Sequence, residues 1–330
     1  MNHLWSVYHE DIPQFLQEFA ATPPMQRLQN VGMNCGCEYT AFPLFKNLEY
    51  YSRFDHSLGA ALIVWHFTAD EKQTLAALFH DVTTPVFSHV VDFLNGDYLQ
   101  QESTEAGIAE TLAASPEVQE LLAKYGIAVE EISDYHCYPI ADNDAPALSS
   151  DRLEYTMGNL LNYHLASLAE LRELYEDLTV GEDENGCAEL IFRTAEKAAR
   201  FARLALQTGR VYVSDEDRFA MEALADVLRH AIERGVLTRD NLMETEPPVI
   251  AKLTADAESA AQWYQFCGYS HILRQAQRPA EGFWVQVDAK KRRIDPLAAG
   301  KGRVSAWHDA ARTEMADFLA LDFTHWLSAE

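Results

Sequence analysis

Basic residues are scarce in this sequence relative to acidic ones. Its 330 residues include 26 Lys and Arg against 51 Asp and Glu, which gives a formal net charge of −25. Because a strongly acidic chain repels nucleic-acid backbones, we do not expect broad binding of DNA or RNA. A site for a small nucleotide is compatible with this charge, since a few basic residues or a metal ion can reverse the field locally.

Long apolar runs and a disulfide framework are also missing. No apolar run approaches the roughly 18 residues that span a bilayer, and the opening segment, MNHLWSVYHEDIPQF, lacks the basic and apolar regions of a signal peptide. The five cysteines are scattered and odd in number, which argues against disulfide pairing and for a reducing compartment. We therefore expect a cytoplasmic protein with no membrane partner.

The hydrophobic pattern that is present is mostly helical. Residues 54–67 are apolar nearly all round and predict a central helix, and residues 71–81 predict a second core helix. Ser149 and Ser150 can cap a long helix that runs from Asp151 to about Asp177. Further helices are predicted over residues 11–20, 103–114, 116–125, 187–208, 215–234 and 255–276.

Turn formers and one alternating segment interrupt this pattern. Residues 132–149 predict a loop, and GEDENG at 181–186 is the best internal break. Residues 283–294, FWVQVDAKKRRI, alternate in polarity and predict a β-hairpin that turns near Asp288-Ala289. The sequence thus predicts an all-α fold with a small β-hairpin, divided into a core of residues 1–180 and a helical C-terminal extension of residues 187–330.

Three short motifs carry the chemistry: His56 at the head of the first core helix, His80-Asp81 at the end of the second, and Asp151. Imidazole and carboxylate groups at the ends of core helices are costly unless they are paired or bind a metal. Two imidazoles and two carboxylates form a mixed nitrogen and oxygen set that suits Mn, Fe, Ni, Zn or Mg. Each motif alone is most often an ordinary helix end, so the prediction depends on the whole set in this order.

The order H…HD…D resembles the HD-domain metal-dependent phosphohydrolases. TPPMQRLQNVG (22–32), RFDHSLGAAL (53–62), AALFHDVTTPVFSHVVD (76–92) and SDRLEYTMGNLL (150–161) look like the branch of bacterial dGTPases and other dNTP triphosphohydrolases. The likeness covers roughly residues 20–300. It implies an HD-domain helical bundle that hydrolyses a nucleotide with one divalent metal ion, and we expect a homo-oligomer.

The resemblance also implies roles for single residues. The residues that match the family's metal ligands are His56, His80, Asp81 and Asp151. Arg53 matches an arginine that grips phosphate, a task that suits the planar guanidinium, and Arg152 stands where the family has a phosphate-contacting cation. His89 and Asp92 match a catalytic histidine on the substrate side and its neighbouring acid. Sugar contacts are implied for Tyr155, Asn159 and Tyr212.

Two histidines of the family are missing. The family reads HDIGHGPFSH where this chain reads HDVTTPVFSH, so Thr84 replaces the first of them. Gln101 or Thr104 replaces the second, because no histidine lies between His89 and His136. Loss of a histidine that transfers a proton lowers a rate by roughly 10²–10⁴. His136 or His89 are the candidates to substitute.

The leading prediction is a metal-dependent phosphohydrolase that acts on a nucleotide, dNTP-like, or on a related phosphoester. The alternative is a catalytically weakened HD regulator that binds a nucleotide and a metal, which the missing histidines favour. An HD-type iron oxygenase is a third possibility, and the same missing histidines argue against it. The basic run of residues 290–293 is either a solvated hairpin face or a nucleotide contact at a subunit interface.

Overall fold

The computed structural model describes residues 4–96 and 107–330 of the chain. The described residues are mainly helical, with 57% of them in helices and 8% in strands, which confirms the predicted helical character. Gln101, Thr104 and the start of the helix predicted over 103–114 lie outside the described residues. None of the helices formed by the described residues combines the length and apolar character that a bilayer crossing requires.

The bounds of the regular elements are as follows. The α-helices are α1 (Trp5–Tyr8), α2 (Gln14–Ala20), α3 (Pro23–Arg27), α4 (Arg53–Thr68), α5 (Glu71–Phe79), α6 (Val90–Asn95), α7 (Ile108–Ala114), α8 (Pro116–Tyr125), α9 (Ser150–Asn162), α10 (Leu168–Glu176), α11 (Ala195–Tyr212), α12 (Asp215–Glu233), α13 (Glu246–Ala255), α14 (Ala257–Gly268), α15 (Val304–Trp307) and α16 (Asp309–Leu319). The β-strands are β1 (Leu178–Glu182), β2 (Ala188–Phe192), β3 (Ile272–Gln275), β4 (Leu297–Ala298), β5 (Gly302–Arg303) and β6 (Trp326–Ala329).

Helices α4 and α5 form the centre of the fold. Ser52 and Asp55 form a capping box at the start of α4, and the Asp70 carboxylate caps α5. Ala69 joins the two helices with a left-handed backbone (φ 50°). The short connection makes the helices antiparallel neighbours, so the start of α4 lies beside the end of α5.

The buried apolar side chains form two clusters. The first surrounds α4, α5, α9 and α11 and contains residues as distant in sequence as Leu62 and Phe318. The second is centred on α6, α12 and α14 and includes Phe93, Phe219 and Trp263. Residues on both sides of the 181–186 break therefore share the first cluster, while the division into two domains stays a prediction.

The strands form two small sheets. β1 and β2 pair antiparallel, with Leu178 opposite Phe192, and the sheet continues in the order β1-β2-β4-β5. β3 and β6 form the second sheet, with Ile272 opposite Ala329. Strands near the C-terminus are therefore hydrogen-bonded to strands much earlier in the chain.

The prediction of one long helix from Asp151 to about Asp177 is wrong. The chain forms α9 and α10 there instead. His164, between the two helices, has a left-handed backbone (φ 56°) that interrupts the helical path. The Ser167 hydroxyl then accepts a hydrogen bond from the Glu170 amide and caps α10. Ser167 is thus a start signal for a second helix, but the apolar periodicity continues past it and favours one long helix.

The prediction of a β-hairpin over residues 283–294 is also wrong. Residues 286–293 form neither helix nor strand, and Val285 pairs with Leu327 of β6 instead of with its own segment. A hairpin forms at β1–β2, where the Asp183 carboxylate in GEDENG accepts hydrogen bonds from two amides of the turn. Strand β2 therefore occupies the start of the helix predicted over 187–208, and β3 occupies the end of the one predicted over 255–276.

Gly158 on α9 provides a test of this packing. A Cβ atom there would lie 2.5 Å from the hydroxyl oxygen of Tyr51 and 2.6 Å from its Cζ atom. Because the Tyr51 ring is buried, we expect Gly158→Ala to lower the free energy of unfolding by about 1–3 kcal/mol in urea denaturation.

Gly268, the last residue of α14, supplies the control, because a Cβ atom there meets nothing within 4 Å. Gly268→Ala should leave the stability unchanged or raise it slightly. Equal stability of the two variants would contradict the close approach of α9 to Tyr51.

Candidate metal centre

Three helix ends meet at the centre of the fold and carry side chains that the sequence singles out. His56 lies in the first turn of α4, His80 follows the last residue of α5, and Asp151 lies in the first turn of α9. The Ser149 hydroxyl accepts a hydrogen bond from the Arg152 amide and fixes the start of α9. Local capping and the antiparallel packing of α4 on α5 thus bring these distant residues together.

The donor atoms of the three side chains converge. His56 Nε2 lies 3.1 Å from His80 Nε2 and 3.0 Å from Asp151 Oδ1, and His80 Nε2 lies 3.5 Å from the same oxygen. Nδ1 of His56 is 2.6 Å from a Glu154 carboxylate oxygen, and Nδ1 of His80 is 2.7 Å from the Ala77 carbonyl. Since these acceptors require a proton on Nδ1, the Nε2 atoms of neutral rings present lone pairs to each other. Two facing lone pairs and a carboxylate oxygen at these distances repel each other unless a cation lies between them. These three donor atoms are ones that a divalent metal ion prefers.

The electrostatic field at this point also favours positive charge. Burial lowers the pKa of His56, but hydrogen bonds to Asp151 and Glu154 outweigh burial and raise it to about 10. Burial would raise the pKa of Asp151, but hydrogen bonds to His56 and His80 hold it well below its usual value. The carboxylates therefore stabilise a cation beside the two rings, whether it is a proton or a metal ion.

Glu154 lies behind His56 as a supporting acid, although neither the H…HD…D motif nor the residue roles that the family resemblance implies include it. Besides His56, it accepts hydrogen bonds from the buried hydroxyls of Tyr8, at 3.4 Å, and Tyr51. Its side chain is 2% exposed. A carboxylate behind a ligating histidine fixes the tautomer and the orientation of the ring. The signal in the sequence is the spacing, because Asp151 and Glu154 are three residues apart and share a helix face.

Asp81 lies at the edge of the group. Its Oδ2 atom is 3.8 Å from His56 Nε2, 3.6 Å from His80 Nε2 and 2.8 Å from Arg53 Nη1. Its Oδ1 atom accepts a hydrogen bond from the Thr84 hydroxyl at 3.0 Å. Burial would raise the pKa of Asp81, but Arg53 and the two histidines hold it below its usual value. Thr84, where the family has a histidine, therefore supports an ionised carboxylate at the site.

These side chains line a cavity of about 180 Å³. The residues with predicted roles that line it are Arg53, His56, His80, Asp81, His89, Asp151, Tyr155, Asn159 and Tyr212. Charged residues without a predicted role there are Asp217, Arg218, Lys290 and Arg292. Most of the residues implied by the family resemblance thus share one cavity.

His89 is held at the cavity wall by Asp92. His89 Nδ1 lies 2.9 Å from Asp92 Oδ2, and Asp92 is fully buried. Burial lowers the pKa of His89, and the charges of Arg53 and Arg292 lower it further, although Asp92 acts in the opposite direction. The ring is therefore largely neutral at pH 7, and it can take up a proton.

The backbone before His89 is strained. Phe87 and Ser88 have left-handed conformations with φ of 56° and 53°, each of which costs about 1–3 kcal/mol in a residue with a side chain. This path lets the Ser88 hydroxyl accept a hydrogen bond from Arg53 Nε at 3.0 Å. The strain therefore serves to fix the Arg53 guanidinium at the cavity.

Tyr155, Asn159 and Tyr212 form another part of the wall. Asn159 Nδ2 donates a hydrogen bond to the Tyr212 hydroxyl at 2.8 Å, and the two tyrosine rings meet edge to face with centroids 6.3 Å apart. The Asn159 Oδ1 atom is buried and has no hydrogen-bond partner among the described residues. A buried acceptor without a partner costs about 1–3 kcal/mol, so this oxygen is suited to a donor group of a ligand.

Arg152 and His136 are not among the described residues that line the cavity. Arg152 is bound to the preceding loop through Asp142 Oδ1 at 3.3 Å, Asn143 Oδ1 and the Ala147 carbonyl at 2.9 Å. His136 lies 3.2 Å from Asp142 Oδ2, and its side chain is 54% exposed. Both residues stabilise the loop that leads into α9 in this structure.

The comparisons with known proteins find relatives at low identity. The chain is 26% identical over 242 residues to the uncharacterized protein YdhJ of Bacillus subtilis, an alignment that covers 73% of this chain and 71% of that protein. It is 23% identical over 229 residues to the metal-dependent phosphohydrolase cns2 of Cordyceps militaris, covering 67% of this chain and 61% of that protein. No family model matches the chain. The Cordyceps relative agrees with the general class that H…HD…D indicates, and neither relative supports the dGTPase branch.

Glu154→Gln tests how the site is supported. The amide keeps the shape of the side chain but removes the charge that holds the Nδ1 proton of His56, so we expect the affinity for Mn²⁺ to fall roughly 10–100-fold. The measurement is isothermal titration of chelator-stripped protein. Glu173→Gln, the same change at an exposed position of α10, is the control. An unchanged affinity in a folded Glu154→Gln protein would show that Glu154 does not support a ligand.

Proposed function

We propose that this chain is an HD-type metal-dependent phosphohydrolase that cleaves a small phosphoester, with a nucleotide as the first candidate substrate. The observation that carries the proposal is the convergence of His56 Nε2, His80 Nε2 and Asp151 Oδ1 at the wall of a cavity. The similarity to a protein named metal-dependent phosphohydrolase supports the same class.

Arg53 is proposed to bind phosphate. A divalent ion held by the histidines and Asp151 would supply a Lewis acid for a phosphoryl oxygen and lower the pKa of a water molecule. Arg53 Nε and Nη1 are already bound to Ser88 and Asp81, which leaves Nη2 for a phosphate oxygen. A guanidinium that is fixed in advance loses little conformational freedom when it binds an anion.

His89 is proposed to exchange a proton with the leaving group. Asp92 fixes its orientation, and a neutral ring beside a bound phosphate dianion gains a proton more readily than a ring beside Arg53 and Arg292 alone. Thr84 donates its hydrogen bond to Asp81, so it does not replace the missing histidine in proton transfer. We therefore expect a slower reaction with esters whose leaving groups need a proton.

The wall formed by Tyr155, Asn159 and Tyr212 favours a substrate with a hydroxyl group. The partnerless Asn159 Oδ1 atom accepts such a donor, and the tyrosine rings offer an apolar face next to it. A sugar ring combines both features, which is the reason for placing nucleotides and sugar phosphates first among phosphoesters.

The test is a hydrolysis screen on chelator-stripped protein reloaded with Mn, Fe, Ni, Zn or Mg. Substrates are p-nitrophenyl phosphate, bis-p-nitrophenyl phosphate, nucleoside mono- and triphosphates and sugar phosphates, and released phosphate or nitrophenol is measured. Activity that needs one of these metals and is lost in Asp151→Asn supports the proposal. If no ester is cleaved while a nucleotide still binds, the protein is a nucleotide-binding regulator instead.

The leaving-group dependence of His89→Gln tests the proton transfer. We expect kcat for an alkyl or nucleoside ester to fall roughly 10²-fold, because such leaving groups need an acid, and kcat for p-nitrophenyl phosphate to change little. His271→Gln, at an exposed residue of the chain, is the control. Equal losses with both kinds of ester would contradict the role of His89.

A further inference from the structure

Asp217, in the first turn of α12, lines the same cavity as His56, His80 and Asp151. The Ser214 hydroxyl accepts a hydrogen bond from the Asp217 amide at 3.2 Å, which fixes the start of the helix. The carboxyl group of Asp217 is thus held at the cavity, although the proposed chemistry does not use it.

The carboxyl group of Asp217 receives little hydrogen bonding from the described part of the protein. Its one hydrogen-bond donor among the described side chains is the Cys37 thiol, whose Sγ atom lies 3.9 Å from Oδ1, and a thiol is a weak donor. Arg218, the next residue in the chain, pairs with Asp215 and donates a hydrogen bond to the Val287 carbonyl instead. A partly buried carboxyl group without a strong donor is suited to a donor group of a ligand.

The protonation of Asp217 fits this use. Burial raises the pKa of Asp217 to about 8, although the charge of Arg218 and the hydrogen bond from Cys37 act in the opposite direction. In its neutral form one oxygen donates a hydrogen bond and the other accepts one, and in its ionised form both oxygens accept. In either form Asp217 therefore offers an acceptor oxygen to an N–H group.

Apolar and aromatic side chains lie near Asp217 at the cavity wall. Met221 follows it by one helical turn on the same face of α12. Burial raises the pKa of Cys35 and of Tyr163, and the nearby charge of Asp217 raises both further. A flat ring packs well against such side chains, whereas a full positive charge is costly among them. This part of the wall therefore favours a neutral heteroaromatic ring over an aliphatic ammonium group.

A second acceptor at the same cavity also lacks a donor. Asn159 is 5% exposed, and its Oδ1 atom is buried without a hydrogen-bond partner among the described residues. Its Nδ2 atom donates to the Tyr212 hydroxyl, and Tyr212 ends α11 just before the turn that leads to Asp217. Two acceptors that lack strong donors point to a ligand with at least two donor groups. A sugar with a hydroxyl group, joined to a ring with an amino group, has both.

We propose that Asp217 is a specificity-determining residue that binds the amino group of a heteroaromatic ring, of the kind found in adenine and cytosine, in the part of the substrate beyond the phosphate. One carboxyl oxygen accepts a hydrogen bond from the amino group, as acidic side chains do when they recognise cytosine. The neutral carboxyl group also donates to the ring nitrogen beside that amino group. That the ring belongs to a phosphoester rests on the proposed function, whereas the contact itself is measured by binding.

The test compares ligands that differ only in the amino group. AMP is paired with purine riboside 5′-monophosphate, and CMP with pyrimidin-2-one riboside 5′-monophosphate. Binding is measured by calorimetric titration with and without Mn²⁺, and as competitive inhibition of p-nitrophenyl phosphate hydrolysis. For the wild type we expect the better of the two amino-bearing nucleotides to bind roughly 10-fold or more tightly than its analogue, because the analogue leaves the acceptor without a donor. If neither nucleotide binds by either method, the proposal is wrong.

Variants of Asp217 separate a hydrogen bond from a charge effect. Asp217→Leu removes both polar atoms at nearly the same size, so we expect the preference for the amino group to fall below about 2-fold. Asp217→Asn keeps one acceptor and one donor, so it should retain a preference of about 3-fold or more. Because the Asp217 carboxyl group has only a weak donor, the Tm of Asp217→Leu should be at or above the wild-type value. Asp317→Leu, the same change at an exposed position of α16, is the control.

Four further results would overturn one assignment or the other. Equal losses of the preference in Asp217→Asn and Asp217→Leu would replace the amino-group contact by an effect of charge. A lower Tm in both variants with an unchanged preference would show a structural role for Asp217. A protein that cleaves a phosphoester but binds both members of each ligand pair equally would overturn this proposal alone. A protein that prefers the amino-bearing nucleotides through Asp217 but cleaves no ester would overturn the proposed function alone.

Discussion

Two imidazole nitrogens that face each other 3.1 Å apart, with both outer ring nitrogens already donating hydrogen bonds, set the constraint for this fold. Neutral rings in this arrangement repel, and only a cation between them and Asp151 relieves the repulsion. The surrounding structure keeps them in place. Caps at Ser52 and Ser149 fix the starts of two helices, and Glu154 is buried behind His56 among tyrosine hydroxyls. The closeness of the packing at Gly158 follows from the need to place Tyr51 against this acid.

The convergence of the candidate ligands could be predicted from the sequence because each of them belongs to a short local signal. His56 follows a capping box, His80-Asp81 ends an apolar helix, and Asp151 follows a serine cap, so the order of the motifs carries the information. The role of Glu154 could have been found from its spacing to Asp151. The mainly helical fold follows from the same periodicity.

Other features depend on contacts that are distant in sequence. Nothing local to Arg152 indicates that Asp142 and the Ala147 carbonyl bind it. The alternation of residues 283–294 is typical of a hairpin, yet contacts of Arg218, Lys291 and Gly209 hold residues 287–292 against elements from elsewhere in the chain. The break at His164 depends on one left-handed residue, which the hydrophobic pattern does not indicate.

In the proposed phosphohydrolase, cations that the fold positions at the cavity would attract an anionic substrate to an otherwise acidic protein. Arg53 is fixed by Ser88 and Asp81, and it lines the cavity together with the candidate metal ligands. Proton transfer is the weaker part of the proposed mechanism, because the Thr84 hydroxyl donates its hydrogen bond to Asp81. Among the described residues, His89 is the one imidazole that lines the cavity besides the two candidate ligands.

Anomalous diffraction from crystals grown with Mn²⁺ would show directly whether His56, His80 and Asp151 hold a metal ion. We expect one strong peak per chain between His56, His80 and Asp151, with both Nε2 atoms about 2.0–2.3 Å from the ion and the rings moved apart to admit it. A peak confined to surface carboxylates, with the two rings still in contact at Mn²⁺ concentrations that saturate binding in solution, would contradict it.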